Sequence, residues 1–167
     1  MARYFSPEEV KIAGMAFGSA EQIARRHYRI EPSEMKSLRY DVKTMAYLDE
    51  HEIREGAFAH LCKYEYGDGH FYRICLQDSR ILDAVTRANS FIRFSPLMLY
   101  IAAHELVHVI RFDKGEADFD VSVEEREREE EKVHSITGDI LQSCMNQELK
   151  LVMDCFSSRY KIGDMFC

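Results

Sequence analysis

Between Leu97 and Phe112 the chain reads LMLYIAAHELVHVIRF, and almost every residue in that stretch is apolar. A surface helix carries its apolar residues as a stripe on one side, so a helix that is apolar nearly all round has to be enclosed by other elements. Its ends are marked: Ser95 serves as N-cap with Pro96 at the first helical position, and Asp113-Lys114-Gly115 supplies the stop. The rest of the chain must wrap this helix. At 167 residues the chain is long enough to do so as one domain, 1–167, with a real core. Inside the helix the polar groups up to Ile110 are nearly confined to His104, Glu105 and His108.

The remaining segments supply the wrapping. Ser6, Pro7 and Glu9 form a capping box ahead of a first helix that reaches about His27. In SLRYDVKTMAYL, residues 37–48, Leu38, Tyr40, Val42 and Ala46 alternate as in a strand, while Leu38, Val42 and Met45 also fit a helical face; the strand is preferred. AHLCKYEYGDGHFYRICL, residues 59–76, has Asp68-Gly69 between two aromatic-rich runs and predicts a hairpin. With those two residues at the centre of the turn, Leu61 opposes Leu76 and Cys62 opposes Cys75. Leu61, Lys63, Glu65, Tyr72, Ile74 and Leu76 then share one face, and Cys62, Tyr64, Tyr66, Phe71, Arg73 and Cys75 the other. Both faces are partly apolar, so the hairpin should be packed on both sides. Ser122 and Glu125 form a second capping box, opening a last helix toward about Phe156 with a break near Gly138. The class is α+β.

Charge and composition remove several alternatives. A net charge of −7 does not supply the clustered Lys and Arg that a nucleic-acid surface needs. No apolar run approaches the roughly 20 residues of a bilayer span, and no basic segment leads an apolar stretch at the N-terminus, so a cytoplasmic location without membrane contact is expected. Five cysteines at wide spacing, Cys62, Cys75, Cys144, Cys155 and Cys167, form no CxxC pair and are expected as reduced thiols.

His104 and His108 are four residues apart, so on a helix of about 3.6 residues per turn both imidazoles leave one face. That spacing lets two ring nitrogens bind one metal ion at about 2.0–2.1 Å. Glu105, rotated about 100° from His104, is placed to reach a metal-bound water. A buried unpaired carboxylate costs several kcal/mol, and a dication is the simplest compensation. A third protein ligand is expected on the acidic helix, where the charge run of residues 124–134 meets the apolar stripe Val133, Ile136 and Ile140.

With its HExxH followed by an acidic helix, the chain resembles a zincin metallopeptidase of the gluzincin branch, and among these the small, minigluzincin-like members. The resemblance covers roughly residues 59 to 141. It implies a zincin-like fold, with a small mixed or antiparallel sheet and a β-hairpin packed on the buried HExxH helix, flanked by N- and C-terminal helices. It also implies a third ligand on the following helix, with apolar residues two and five positions on and a small residue seven on. Glu131 meets that pattern through Val133, Ile136 and Gly138; His134, one turn later, is the alternative.

The function implied is zinc-dependent hydrolysis of a peptide or protein substrate, with Glu105 as general base toward a metal-bound water. Two histidines and a glutamate, or three histidines, also suit other divalent ions. One hairpin strand, 60–66 or 71–77, would pair with extended substrate, and Tyr64, Tyr66, Tyr100 and His134 are the candidates for stabilising the oxyanion. A chain this short leaves little room for a separate specificity subdomain, so a regulatory protein partner fits as well. Two other readings stand beside the peptidase: a metal-binding regulatory or peptide-binding module without turnover, and a structural helical domain in which HExxH is fortuitous.

Overall fold

The structure, a computed structural model, describes residues 2–89 and 91–157. Among them are six α-helices and a three-stranded mixed sheet, an α+β architecture. The elements are α1 (Pro7–Tyr28), α2 (Pro32–Ser37), β1 (Tyr40–Lys43), β2 (Ala59–Tyr66), β3 (Gly69–Leu76), α3 (Asp78–Arg87), α4 (Phe94–Asp113), α5 (Val123–Leu141) and α6 (Gln147–Ser157). No helix among the described residues is long and apolar enough to cross a membrane.

The helix α4 is enclosed as its composition demands, with Leu97, Met98, Ala102, Ala103, Leu106, Val107 and Val109 all fully buried. α1 lies against it through Ala13, Ala16, Phe17, Ala20 and Ala24, a helical stripe of mostly small residues that lets the two backbones approach. α5 and α6 cover further sides. The capping box of Ser6 and Glu9 opens α1 as expected. α4 starts earlier than its sequence suggests: Arg93 is the N-cap and makes no side-chain cap bond, so Ser95 lies inside the first turn. At the other end, Gly115 has φ +74 and the amides of Gly115 and Glu116 bond to the carbonyls of Phe112 and Arg111. That pairing is a Schellman closure, which requires the left-handed conformation glycine adopts freely.

In the sheet, β3 is central, antiparallel to β2 and parallel to β1. The 37–48 segment is a strand only over Tyr40–Lys43 and then turns into a short 3-10 helix at Met45–Tyr47. There the buried carboxylate of Asp78 accepts from the amides of Met45 and Phe5 at 2.9 and 2.8 Å, tying the strand's exit and the N-terminal segment to α3. The hairpin forms, but its turn is Gly67-Asp68: Tyr66 opposes Gly69, Leu61 opposes Ile74 and Cys62 opposes Arg73. Gly67 has φ +48 while Asp68 does not share the positive φ, the conformation of a two-residue turn with glycine first. The expected pairs Leu61 with Leu76 and Cys62 with Cys75 are therefore displaced by two residues. A displacement of two keeps every side chain on its face. Tyr72, Ile74 and Leu76 are buried, with Tyr72 stacked on Phe112 of α4, and the opposite face is covered by the segment that follows β1.

The last helical region breaks at residues 142–146, not at Gly138, which stays inside α5. Ser122 accepts from the Glu125 amide at 3.2 Å, one half of the expected capping box. Cys62, Cys75, Cys144 and Cys155 are free thiols; Cys167 lies outside the described residues.

On the covered outer face of the hairpin, Glu52 is completely buried. Burial opposes its ionisation, yet the Tyr64 hydroxyl, the Asp49 amide and Arg73 together outweigh that and bring its pKa from the ordinary 4.5 to about 2. Arg73 is shared, donating to Glu52 at 3.0 Å and to both oxygens of Asp41 at 3.0 and 3.1 Å. A carboxyl held down in the folded chain contributes stability above its ordinary pKa that is lost as pH falls through its folded value. In urea unfolding, about 2–3 kcal/mol of stability should disappear between about pH 4.5 and pH 2, allowing for the partial exposure of Arg73. The Glu52→Gln variant should show a flatter profile over that window; parallel profiles would mean that the network contributes nothing.

Candidate metal centre

His104 and His108 leave α4 on one face, their ring centroids 4.9 Å apart at 73°. The third group comes from α5. Glu130 places Oε2 3.0 Å from His104 Nε2 and Oε1 3.0 Å from His108 Nε2, and one donor atom from each of these three residues lies within 4.8 Å of the others. Donors held about 2.1 Å from a common tetrahedral ion stand roughly 3.4 Å apart, so the cluster is close to the spacing that a divalent ion with imidazole and carboxylate ligands needs. On a tetrahedral ion, three protein ligands would leave a fourth coordination position open.

Glu131, the residue that the family pattern selects, is exposed and lies outside the cluster. Helical geometry explains the exchange. The buried residues of α5 are Val133, Thr137, Ile140 and Leu141. At about 100° per residue, Glu130 falls within about 60° of Val133 and Thr137, while Glu131 is turned well away from them. The periodicity of the buried stripe is the feature of the sequence that points to Glu130, which the offset pattern ranked below Glu131.

His134 is also outside the cluster. It is half-buried one turn beyond Glu130 and shares a 2.7 Å hydrogen bond through Nδ1 with the Tyr100 hydroxyl. Tyr100 in turn lies against His104, ring centroids 5.7 Å apart. Burial, and then the charge of His104, push the His134 pKa down. Tyr64 and Tyr66 are remote from the centre: Tyr64 bonds to Glu52 on the outer face of the sheet, and Tyr66 sits at the hairpin tip bonded to Arg39.

The Nδ1 atoms of His104 and His108 are buried and have no hydrogen-bond partner among the described residues. Metal-bound histidines usually donate that second N–H to an acceptor. Here packing orients the rings instead, with Phe112 stacked on His108 and Tyr100 against His104. The charges are strongly coupled. Burial alone would lower the His108 pKa, but the Glu130 charge and hydrogen bond hold it up at about 9. Burial likewise works against the Glu130 carboxylate, yet the two imidazoles keep it well below the usual range. The cluster therefore favours an ionised Glu130 beside a protonated His108, and a dication would answer the same demand.

Glu105 is buried on the same helix, and desolvation pushes its pKa up against the opposing charges of His108 and His104. It lines a cavity of about 220 Å³ together with His108 and Glu130. A carboxylate that prefers its proton more than usual, at the wall of a cleft beside a metal cluster, is suited to taking a proton from water and returning it.

A second charged contact fixes α5. Arg111, buried on α4, grips Glu129 through Nε and Nη2 at 2.7 and 2.9 Å. Because Glu129 precedes Glu130, this bidentate pair sets the rotation at which α5 presents its ligand. Removing one partner of a buried pair leaves the other charge uncompensated. Arg111→Met should destabilise the fold by about 3 kcal/mol in urea unfolding, and Arg111→Met with Glu129→Met should cost clearly less than the two single changes added together. Additive losses would show that the pair does not act as a unit.

The chain matches no protein-family profile, no curated protein and no solved structure, so the case for its function rests on this geometry.

Proposed function

We propose that the chain is a zinc-dependent metallopeptidase with a zincin-like fold, in which His104, His108 and Glu130 hold the metal and Glu105 is the general base. The observation that carries this reading is the convergence of both Nε2 atoms on one carboxylate, with a buried glutamate beside them on the wall of the same cleft. Zinc held by His104, His108 and Glu130 would supply Lewis acidity for activating water and polarising a carbonyl. Glu105 would accept a proton from water, the step that its raised pKa favours, and would then return it to the leaving amine.

The sheet supplies the substrate platform. Of the two strands considered for this role, β3 is interior, paired on both sides, whereas β2 is an edge. Ala59, His60 and Leu61 of β2 line the cleft, so a peptide laid along that edge by backbone hydrogen bonds would pass in front of Glu105. Tyr100 and His134 stand on the His104 side of the centre and are the groups available to steady charge developing on the scissile carbonyl.

Elemental mass spectrometry of protein purified without a histidine tag tests the ligand set. About one zinc per chain is expected in wild type, in Glu131→Ala and in His134→Ala, with loss in Glu130→Ala. A chelator should lower the melting temperature of wild type but not of Glu130→Ala. No stoichiometric metal in wild type, even with zinc supplied, overturns the proposal. Against a quenched-fluorophore peptide library, Glu105→Gln should retain zinc and lose roughly 10²- to 10⁴-fold in kcat/KM. A wild type that binds zinc and cleaves nothing would instead be a peptide-binding module.

A further inference from the structure

The cleft beside the metal centre carries two cations that no other part of the fold uses. Arg54 precedes β2 and Arg126 lies in the first turns of α5; both are exposed, and both line the cavity that holds Glu105, His108 and Glu130. Neither guanidinium has a hydrogen-bond or ion-pair partner among the described residues. For Arg126 this is informative, because Glu129 and Glu130 stand three and four residues on, where i,i+3 and i,i+4 pairing would ordinarily engage it. Glu129 is committed to Arg111 and Glu130 to the two histidines, so Arg126 is left facing the cleft. Four carboxylates line the same cavity: Glu105, Glu129 and Glu130, and the exposed Asp118.

Part of the same wall is aromatic. Phe112 and Phe119 meet edge to face with centroids 5.5 Å apart, and Phe112 stacks on His108. At about 220 Å³ the cavity is below the roughly 300–1,000 Å³ of sites that enclose drug-sized ligands, so it admits a residue or two of a peptide and no more. Two forked donors over an aromatic wall match one chemistry: a carboxylate on a short apolar stem, which Arg can bind in bidentate geometry. With Glu129 paired to Arg111 and Glu130 to the histidines, Arg54 and Arg126 are the unpaired guanidinium groups on this wall among the described residues.

We propose that Arg54 and Arg126 are specificity residues that select a carboxylate-bearing peptide, the carboxylate coming either from an acidic side chain or from the peptide's C-terminus. The inference deepens the peptidase reading and rests on it for the direction of the substrate past Glu105, but the recognition itself is a binding property of exposed residues.

Fluorescence anisotropy tests it with four labelled hexapeptides of alanine and leucine: one glutamate with an amidated C-terminus, one glutamine with a free C-terminus, both carboxylates, and neither. The protein is zinc-loaded Glu105→Gln, which removes turnover, with and without Arg54→Gln and Arg126→Gln. Carboxylate-bearing peptides should bind about three- to tenfold more tightly than the peptide with neither, and the preference should weaken with added salt. Whichever single-carboxylate peptide gains the affinity identifies the source. The preference should vanish in the double arginine variant while its zinc content and melting temperature stay those of the parent. Equal binding of all four peptides, no binding of any, or a preference that survives loss of both arginines overturns the proposal. Zinc content measured on the same samples separates this outcome from failure of the metal site: a protein that holds no zinc yet keeps an arginine-dependent preference loses the peptidase reading alone.

Discussion

The carboxylate of Glu130 lies between two imidazoles where α5 meets α4, and much of the structure depends on that placement. His108 is buried on α4 and His104 beside it is partly buried, and imidazoles so placed are best accommodated where another element brings compensating negative charge. α5 does so, with Glu130 on the histidines and Glu129 on Arg111. The helix is thus anchored by ions at its N-terminal half and by Val133, Thr137, Ile140 and Leu141 at its C-terminal half. Docking α5 and bringing Glu130 onto the two histidines are one event, so this contact cannot loosen without exposing part of the core.

The sheet is supported in a similar way from its other side. Tyr72, Ile74 and Leu76 turn toward α4, whereas Glu52, Arg73 and Asp41 make an ionic lattice on the outer face. Because Arg73 lies on central β3, Asp41 on β1 and Glu52 on the segment leading to β2, the lattice ties three stretches of chain together without extra strands. It leaves β2 as a bare edge beside the cleft. β1 is the other edge of this three-stranded sheet, and of the strands only β2 contributes residues to the cleft wall.

Features that rest on local chemistry were legible in the sequence. The capped start of α1, the all-round burial of α4, the shared face of His104 and His108, and the two faces of the hairpin follow from caps and periodicity. What was not legible depended on choices between near-equal local options. Gly67-Asp68 and Asp68-Gly69 both make two-residue turns; the first prevails with Gly67 at positive φ, and the Tyr66 ring then rests so close to Gly69 that an added Cβ would come within 3.1 Å of it. Among Glu127, Glu129, Glu130 and Glu131, composition cannot choose, and the choice falls to the rotation of α5, set by the stripe after Val133 and by Arg111. The break at residues 142–146 carries no proline or glycine, and Gly138, which looked like a breaker, has only the Met153 side chain near it and stays helical.

The acidic run at the start of α5 reads in sequence as a solvated surface, and for most of its residues that holds. Its inner face is different, because there consecutive charges are assigned separate tasks: Glu129 takes an arginine, Glu130 takes two histidines, and Arg126 is left without either carboxylate. Had Glu129 stayed free, it would have paired with Arg126 at i,i+3 and quenched the cation facing the cleft. Arg111 thus acts twice from within the core, orienting Glu130 toward the histidines and, by occupying Glu129, leaving positive charge available on the cleft wall. The charge of the helix as a whole says little about the cleft; the pairing within one turn decides it.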